Sequence, residues 1–383
     1  MTYTNNFIVP DYYKHFICKS QDCRHSCCQG WNITISMKEY FNMLGLNCNK
    51  QLRKKIDGSF YILNHPTQES YASVVKTNNN DCPMHMANGY CMLHYECGEK
   101  ALPAICRYFP RGPRISFNIE CSCSNSCEKT LELLLSNDEE INFEQLPLTF
   151  NLPLSASRVD ENVKNQYKKI RDLAFAIMNN RNLPLSERLI TIGKVLHWLN
   201  KETDNNNIID FTHVTLDSFI DKNLNYEKSP QATYDIQEKL VSFFLNKNTS
   251  IQKYASEAIE YYNKGDKVIQ YNESSKHLKK LFPNLEIMLE KILVNHLFFD
   301  QFPFSNTSET FWEEFESLGG VFLFLIYITT GYMANKNTIE DFIDVVAASF
   351  RLITHTDFDR NVGILLHRED VTTLEQLASF IIS

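Results

Sequence analysis

The chain has 383 residues, 43% of them apolar, with 12 glycines, 12 prolines and a formal net charge of −8. That length exceeds what one hydrophobic core ordinarily organises, so two domains are expected. Sparse chain breakers favour helices, and the acidic balance excludes a general nucleic-acid binder, because phosphate neutralisation needs clustered cations.

The first residues, "MTYTNNFIVPDYYKHF", lack the basic segment and apolar run of a signal peptide, so a cytoplasmic protein is expected. Residues 1–135 read as a cysteine-rich, irregular metal-binding module with short helices such as "SMKEYFNMLG". Strand alternation is confined to short pieces such as "ISFNIECS". Residues 136–162 are polar and punctuated by proline, which predicts a connector. Residues 163–383 read as an α-helical domain. Apolar residues at spacings of three and four predict helices in "VKNQYKKIRDLAFAIMNN", "LSERLITIGKVLHWLNKE", "YDIQEKLVSFFLNK", "IQKYASEAIEYYNK" and "LEIMLEKILVNHLFFDQF". The same holds for "TFWEEFESLGGVFLFLIYITTG", "IEDFIDVVAASFRLITH" and "TLEQLASFII". The apolar run at 321–334 is shorter than the roughly 20 residues that span a bilayer and predicts a buried core helix, with no membrane partner. The expected fold class is mainly α: a cysteine-rich N-terminal module followed by a helical C-terminal domain.

Charge is unevenly spread. Residues 1–130 carry 14 Lys and Arg against 10 Asp and Glu, while the remainder carries 24 against 36. An acidic helical domain suits a lysine-bearing protein partner, or is simply a solvated surface.

All 12 cysteines lie at or before Cys127. Thiols serving as small apolar filler would scatter along the whole chain, so these share a task. In a reducing compartment dense cysteine points to metal or redox chemistry rather than disulfides. The clusters are Cys18, Cys23, Cys27 and Cys28; Cys82, Cys91, Cys97 and Cys106; and Cys121, Cys123 and Cys127, with Cys48 apart. Soft thiolates suit tetrahedral zinc or an iron–sulfur cluster. Zinc modules usually repeat C-x2-C, which this chain lacks. The C-x3-C-x2-C pattern of radical enzymes fails too, because Gly30 stands where the third cysteine belongs. Adjacent Cys27 and Cys28 fit a cluster several ångströms across more easily than a single ion.

The stretches "YKHFICKSQDCRHSCCQGWNITI", "CPMHMANGYCMLHYECGEKALPAICRYFPR" and "SNSCEKTLELLL" resemble the flagellin lysine-N-methylases, as do "LVNHLFFDQFPF" and "SFRLITHTDFD" nearer the C-terminus. The resemblance covers nearly the whole chain. It implies methyl transfer from S-adenosylmethionine to lysines of flagellin, with an iron–sulfur centre, most simply [4Fe–4S]. The metal ligands it implies are Cys18, Cys23, Cys27, Cys28, Cys82, Cys91, Cys106 and Cys127. Cys48, Cys97, Cys121 and Cys123 do not match.

No G-x-G occurs, so a Rossmann-type site for S-adenosylmethionine is absent from the pattern. Methylation needs a deprotonated amine, and candidate groups to bring that about are Tyr95, Tyr108, His94 and Glu96. Arg107 and Arg111, four apart, would share a face if that stretch is helical. They could then hold the carboxylate of the cofactor, balance anionic sulfurs, or make a surface salt bridge. Trp31 could stack on adenine or pack over the metal site. Arg351 with His355, and Asn295 with His296, are polar pairs on apolar helices that either face a cleft or pair locally. The function so read is protein-lysine N-methylation of flagellin. The competing reading is a non-catalytic, zinc-binding interaction module.

Overall fold

The structure, a computed structural model, describes residues 2–29, 32–78, 81–151, 161–204, 209, 211, 214–220, 226, 228–245, 249–304 and 310–382. It is mainly helical, with two small sheets.

The chain opens with strand β1 (Tyr3–Pro10), followed by β2 (Thr34–Ile35), helices α1 (Met37–Leu44) and α2 (Lys50–Asp57), and strands β3 (Phe60–Ile62) and β4 (Ala72–Val74). Helix α1 is the one expected from "SMKEYFNMLG". The Ser36 hydroxyl accepts from the Glu39 amide, and the Glu39 carboxylate accepts from the Ser36 amide, a reciprocal cap. Then come α3 (Met92–Cys97), α4 (Ala104–Tyr108), β5 (Arg111–Arg114), β6 (Glu120–Cys123), α5 (Glu128–Leu134) and β7 (Phe143–Phe150).

The two sheets were only partly visible in the alternation pattern. β1 lies against β7 along its full length, from Tyr3 opposite Phe150 to Pro10 opposite Phe143. With β6 and β5 these form a four-stranded sheet ordered β5–β6–β1–β7. Strand β7 falls in the stretch read as a connector from its prolines. It is an edge strand, the one place where Pro147, lacking an N–H, does not break a ladder. The second sheet is ordered β2–β4–β3.

The remaining helices are α6 (Glu161–Met178), α7 (Leu185–Asp204), α8 (Pro230–Leu245), α9 (Thr249–Tyr262), α10 (Lys267–Leu281), α11 (Leu285–Phe299), α12 (Phe311–Met333), α13 (Ile339–His355), α14 (Phe358–Arg368) and α15 (Leu374–Ile382). Each helix predicted from spacing is present. Helices α10 and α14 were not anticipated. α12 is the axle of the bundle, touching α7, α8, α9, α13, α14 and α15. It is long and apolar enough to cross a membrane by composition, but 94% of that apolar stretch is buried among its neighbours.

Burial divides the molecule unexpectedly. Phe7, Val9, Tyr12, Tyr13, Cys121, Cys123 and Leu131 belong to the same hydrophobic cluster as the helices of the C-terminal part. A second, smaller cluster contains Ile33, Ile35, Met43, Leu52, Ile56, Val74, Cys82, Met84, Met92 and Leu102. The cysteine-rich segment therefore contributes to two cores, with the four-stranded sheet built onto the helices.

Candidate metal centre

Between these two cores lies a cavity of about 290 Å³. Its walls include Cys18, Cys23, Cys27, Cys28, Cys82, Cys91, Cys106 and Cys127. Cys48 and Cys97 lie against the smaller core, and Cys121 and Cys123 are buried in β6.

Each wall is held by identifiable contacts. Cys127 immediately precedes α5, and Glu128 opens that helix. The Glu128 carboxylate, 2% exposed, accepts from the backbone amides of Arg24 and His25 at 3.1 and 3.2 Å and from Lys19 Nζ at 2.8 Å. One buried side chain thus ties the Cys18–Cys27 loop to the start of α5, where acidic groups also complement the helix dipole. Arg24 continues outward to Asp344 on α13 at 2.8 Å. On the other side, the Cys28 carbonyl accepts from the Cys82 amide at 3.1 Å and from Lys76 Nζ at 3.0 Å. A β-bridge pairs His85 with Cys91, which caps α3. Cys106 sits within α4, where Arg107 donates to the carbonyls of Glu99, Lys100 and Leu102.

Six thiols of this cavity, Cys23, Cys27, Cys82, Cys91, Cys106 and Cys127, are held protonated by their surroundings, and Cys28 is pushed the other way. Burial, then Glu128, Cys127 and Cys18, push Cys23 up to about 12. Burial and then Cys28 push Cys82 up to about 11. Cys106 opens to the cavity by area yet is enclosed by protein. That enclosure, then Cys28, Cys82 and Cys91, raises it well above the ordinary thiol range. Cys27 and Cys28 hydrogen-bond each other; that bond raises Cys27 and lowers Cys28, so Cys28 gives up its proton first. A metal must displace these protons to bind, so uptake grows with pH.

The spacing of the sulfurs bears on which metal. Four thiolates at 2.3 Å from one zinc stand about 3.8 Å apart by tetrahedral geometry. Among the described residues no three cysteine sulfurs lie within 4.8 Å of one another; the group that does is His25, Glu128 and Asp344. That group's carboxylates already accept from Lys19 and Arg24, which makes it an ion-pair cluster. No trio of cysteine sulfurs therefore stands preformed for a single ion among the described residues.

The other expected site residues divide. His94, Arg107 and Arg111 line the cavity. Arg107 and Arg111 do not share a helix face: α4 ends at Tyr108 and Arg111 begins β5, because Pro110 cannot continue a helix. Arg111 lies over the Phe16 ring at 4.8 Å. Tyr95 is 74% exposed and lies outside the cavity. Tyr108 also lies outside it; its hydroxyl accepts from the Asn151 amide at 2.7 Å and its ring meets Phe150 edge-on. The Glu96 carboxylate accepts from the Asn49 side chain. Trp31 lies outside the described residues.

Of the polar pairs, Arg351 lines the cavity, and His355 meets the Ser126 hydroxyl at 3.3 Å. Asn295 donates to the Cys123 carbonyl at 2.9 Å, and His296 pairs with Asp300 at 2.9 Å. Phe16, Lys19, His25, Ser126 and Glu128 are wall residues that no sequence pattern marked.

Comparison with known proteins adds the following. The FliB lysine N-methylase C-terminal domain matches residues 171–380. A protein named lysine-N-methylase from Salmonella choleraesuis (strain SC-B67) is 23% identical over 202 residues, covering 50% of this chain and 47% of that one. Its namesake from Salmonella typhimurium is 22% identical over the same length and coverage. The flagellar biosynthetic protein FliU of Salmonella muenchen is 23% identical over 134 residues, 34% of this chain and 77% of FliU. The chain spans about half the length of the lysine-N-methylases it matches. No solved structure matches it.

Proposed function

The chain belongs to the FliB lysine N-methylase family, and from that premise we propose that it is a cytoplasmic protein-lysine N-methyltransferase that uses S-adenosylmethionine, acts on flagellin and carries an iron–sulfur centre in the thiol cavity. The observation that carries this reading is Arg351. It belongs to the family-matched domain, on α13, and its guanidinium reaches the wall of the cavity that the eight cysteines line. The methylase domain and the thiols thus share one site.

The residues present fit a cluster. Eight thiols line one space, more than a single tetrahedral ion can bind, and cations adjoin them. The cysteines would hold the iron, and the bound centre would supply a thiolate-anchored metal able to take a further ligand. Lys19, Arg111 and Arg351 place positive charge on the wall, offsetting anionic sulfurs and disfavouring the ammonium form of an incoming lysine. Phe16 and Phe109 add apolar wall to the same space. S-adenosylmethionine, when bound, would supply the methyl group to the neutral amine, its sulfur keeping the electron pair of the broken S–CH3 bond and the surplus amine proton passing to solvent. The acidic helical part favours approach of lysine-bearing segments.

The test is methyl transfer from labelled S-adenosylmethionine to flagellin, using protein purified without oxygen, with lysine mass shifts read by peptide mass spectrometry. Methylated lysines in an iron- and sulfide-containing preparation support the reading. A colourless zinc protein that leaves flagellin unmodified overturns it in favour of a zinc-stabilised interaction module.

A further inference from the structure

We propose that the eight cavity cysteines form two separate iron–sulfur sites of four thiolates each, Cys18/Cys23/Cys27/Cys127 and Cys28/Cys82/Cys91/Cys106, with the chain passing from one to the other between Cys27 and Cys28. The inference rests on the reading above that the cavity is an iron–sulfur site, and it assigns every cysteine of that cavity a ligand role.

The division follows from how the loops are held. The Cys18–Cys27 loop is fastened to the start of α5, and so to Cys127, through Glu128 and its bonds to the Arg24 and His25 amides. The Cys28 backbone is fastened instead to Cys82, and the bridge at His85 brings Cys91 back beside it. The two sets also rest on different cores. Cys82 lies in the smaller hydrophobic cluster with Cys28 and Cys91 against it, whereas Cys127 packs on the larger one. Electrostatic neighbours run the same way away from the crossing: Cys106 is influenced by Cys28, Cys82 and Cys91, and Cys23 by Cys127 and Cys18, while Cys27 at the crossing feels both sets, through Cys28, Cys106 and Cys18.

The adjacent pair fixes the crossing point. The Gln29 amide donates to the Ser26 carbonyl at 3.2 Å, so Cys27 and Cys28 are the two central residues of a tight turn. Their thiols are in hydrogen-bond contact. In a cluster each iron takes one thiolate, so two ligands of the same cluster stand farther apart than two touching thiols. Cys27 and Cys28 therefore serve different clusters.

The experiment is anaerobic reconstitution of the full chain with ferrous iron and sulfide, followed by iron, zinc and sulfide counts and electron paramagnetic resonance after dithionite reduction. Two [4Fe–4S] sites predict about eight irons and about eight sulfides per chain. The pairs Cys18→Ser/Cys127→Ser and Cys82→Ser/Cys91→Ser are each expected to lower the count to about half and to leave the signal of the other site, with circular dichroism reporting the fold. A wild-type count of about four irons, abolished by one pair and untouched by the other, overturns the two-site division while leaving the single-cluster methylase reading intact. Zinc without iron overturns both. The wild-type count decides the matter even if a variant fails to fold.

Discussion

The guanidinium of Arg351 donates through Nη2 to the backbone carbonyl of His25, 3.1 Å away and 326 positions earlier in the chain. Its Nε donates to the Ser126 carbonyl at 3.3 Å. One side chain of α13 thus fastens both the Cys18–Cys27 loop and the turn before Cys127. Arg351→Ala leaves two carbonyls without their donor and is expected to cost about 2–3 kcal/mol. Arg351→Lys keeps the charge but cannot reach both acceptors from one planar group, and should recover only part of that loss. Urea unfolding midpoints of the three proteins check the order, and a lysine variant as stable as the parent would contradict it.

Glu128 is the complementary anchor on the α5 side. It is buried and surrounded by donors. Glu128→Ala strips two backbone amides of their acceptor, leaves Lys19 with Glu132 alone, and is expected to cost about 2–4 kcal/mol. Glu128→Gln, which keeps one acceptor oxygen, should cost less. Bound iron after reconstitution should fall in the same order, because the loop carrying three thiols loses its tether to Cys127. Unchanged iron in the alanine variant would mean that the loop is held by the metal alone.

Glu316 makes stability depend on pH. It lies buried in α12, 3.4 Å from His367 Nε2, with Trp312 and Glu313 beside it. Burial pushes its carboxyl up to about 7 from an ordinary value of 4.5. The folded chain therefore keeps this proton between those values while the unfolded chain releases it. The stability is fully present below the ordinary carboxyl range and declines as pH rises toward 7. Glu316→Gln is expected to match the parent at pH 4 and to melt a few degrees higher at pH 8. Equal melting at both values would show that the carboxyl is not held protonated.

Gly320 lets two helices approach. A Cβ built there would run into the Val362 side chain on α14. On a solvent-facing helix surface, Gly→Ala gains roughly 1 kcal/mol of helix propensity. Here overpacking at the α12–α14 contact should dominate, for a net loss of about 1–3 kcal/mol. Thermal unfolding of Gly320→Ala decides the sign.

The helices were legible because an apolar stripe at spacings of three and four is a strong local signal. α10 escaped because it is mostly polar and buries only Ser274 and Leu278. The sheet escaped for two reasons: β1 begins with exposed Thr4, Asn5 and Asn6, and β7 is broken in appearance by Pro147. At the site, the eight cysteines implied by family likeness are the ones that line the cavity. Which cysteine loops come together was not legible, since Cys28 and Cys82, far apart in the chain, meet through a backbone hydrogen bond that no local pattern signals. Arg351 carried a signal, a cation on an apolar helix. Glu128 carried none, because its value lies in the Lys19 ammonium and the backbone amides that converge on it. Tyr95 and Tyr108 drew notice by lying near cysteines in sequence, and nearness along the chain did not bring them into the cavity.

The pairing of β1 with β7 brings Pro10 and Phe143 side by side, and β6, drawn from the chain between them, lies on the other side of β1. The part that stands apart is the stretch from Ile33 to Leu102 that builds the smaller core, and the chain returns from it to the sheet at β5 and β6, a doorway that the helical body itself supports. Lengthening or shortening the outlying part around the smaller core would leave that doorway, and the bundle behind it, in register.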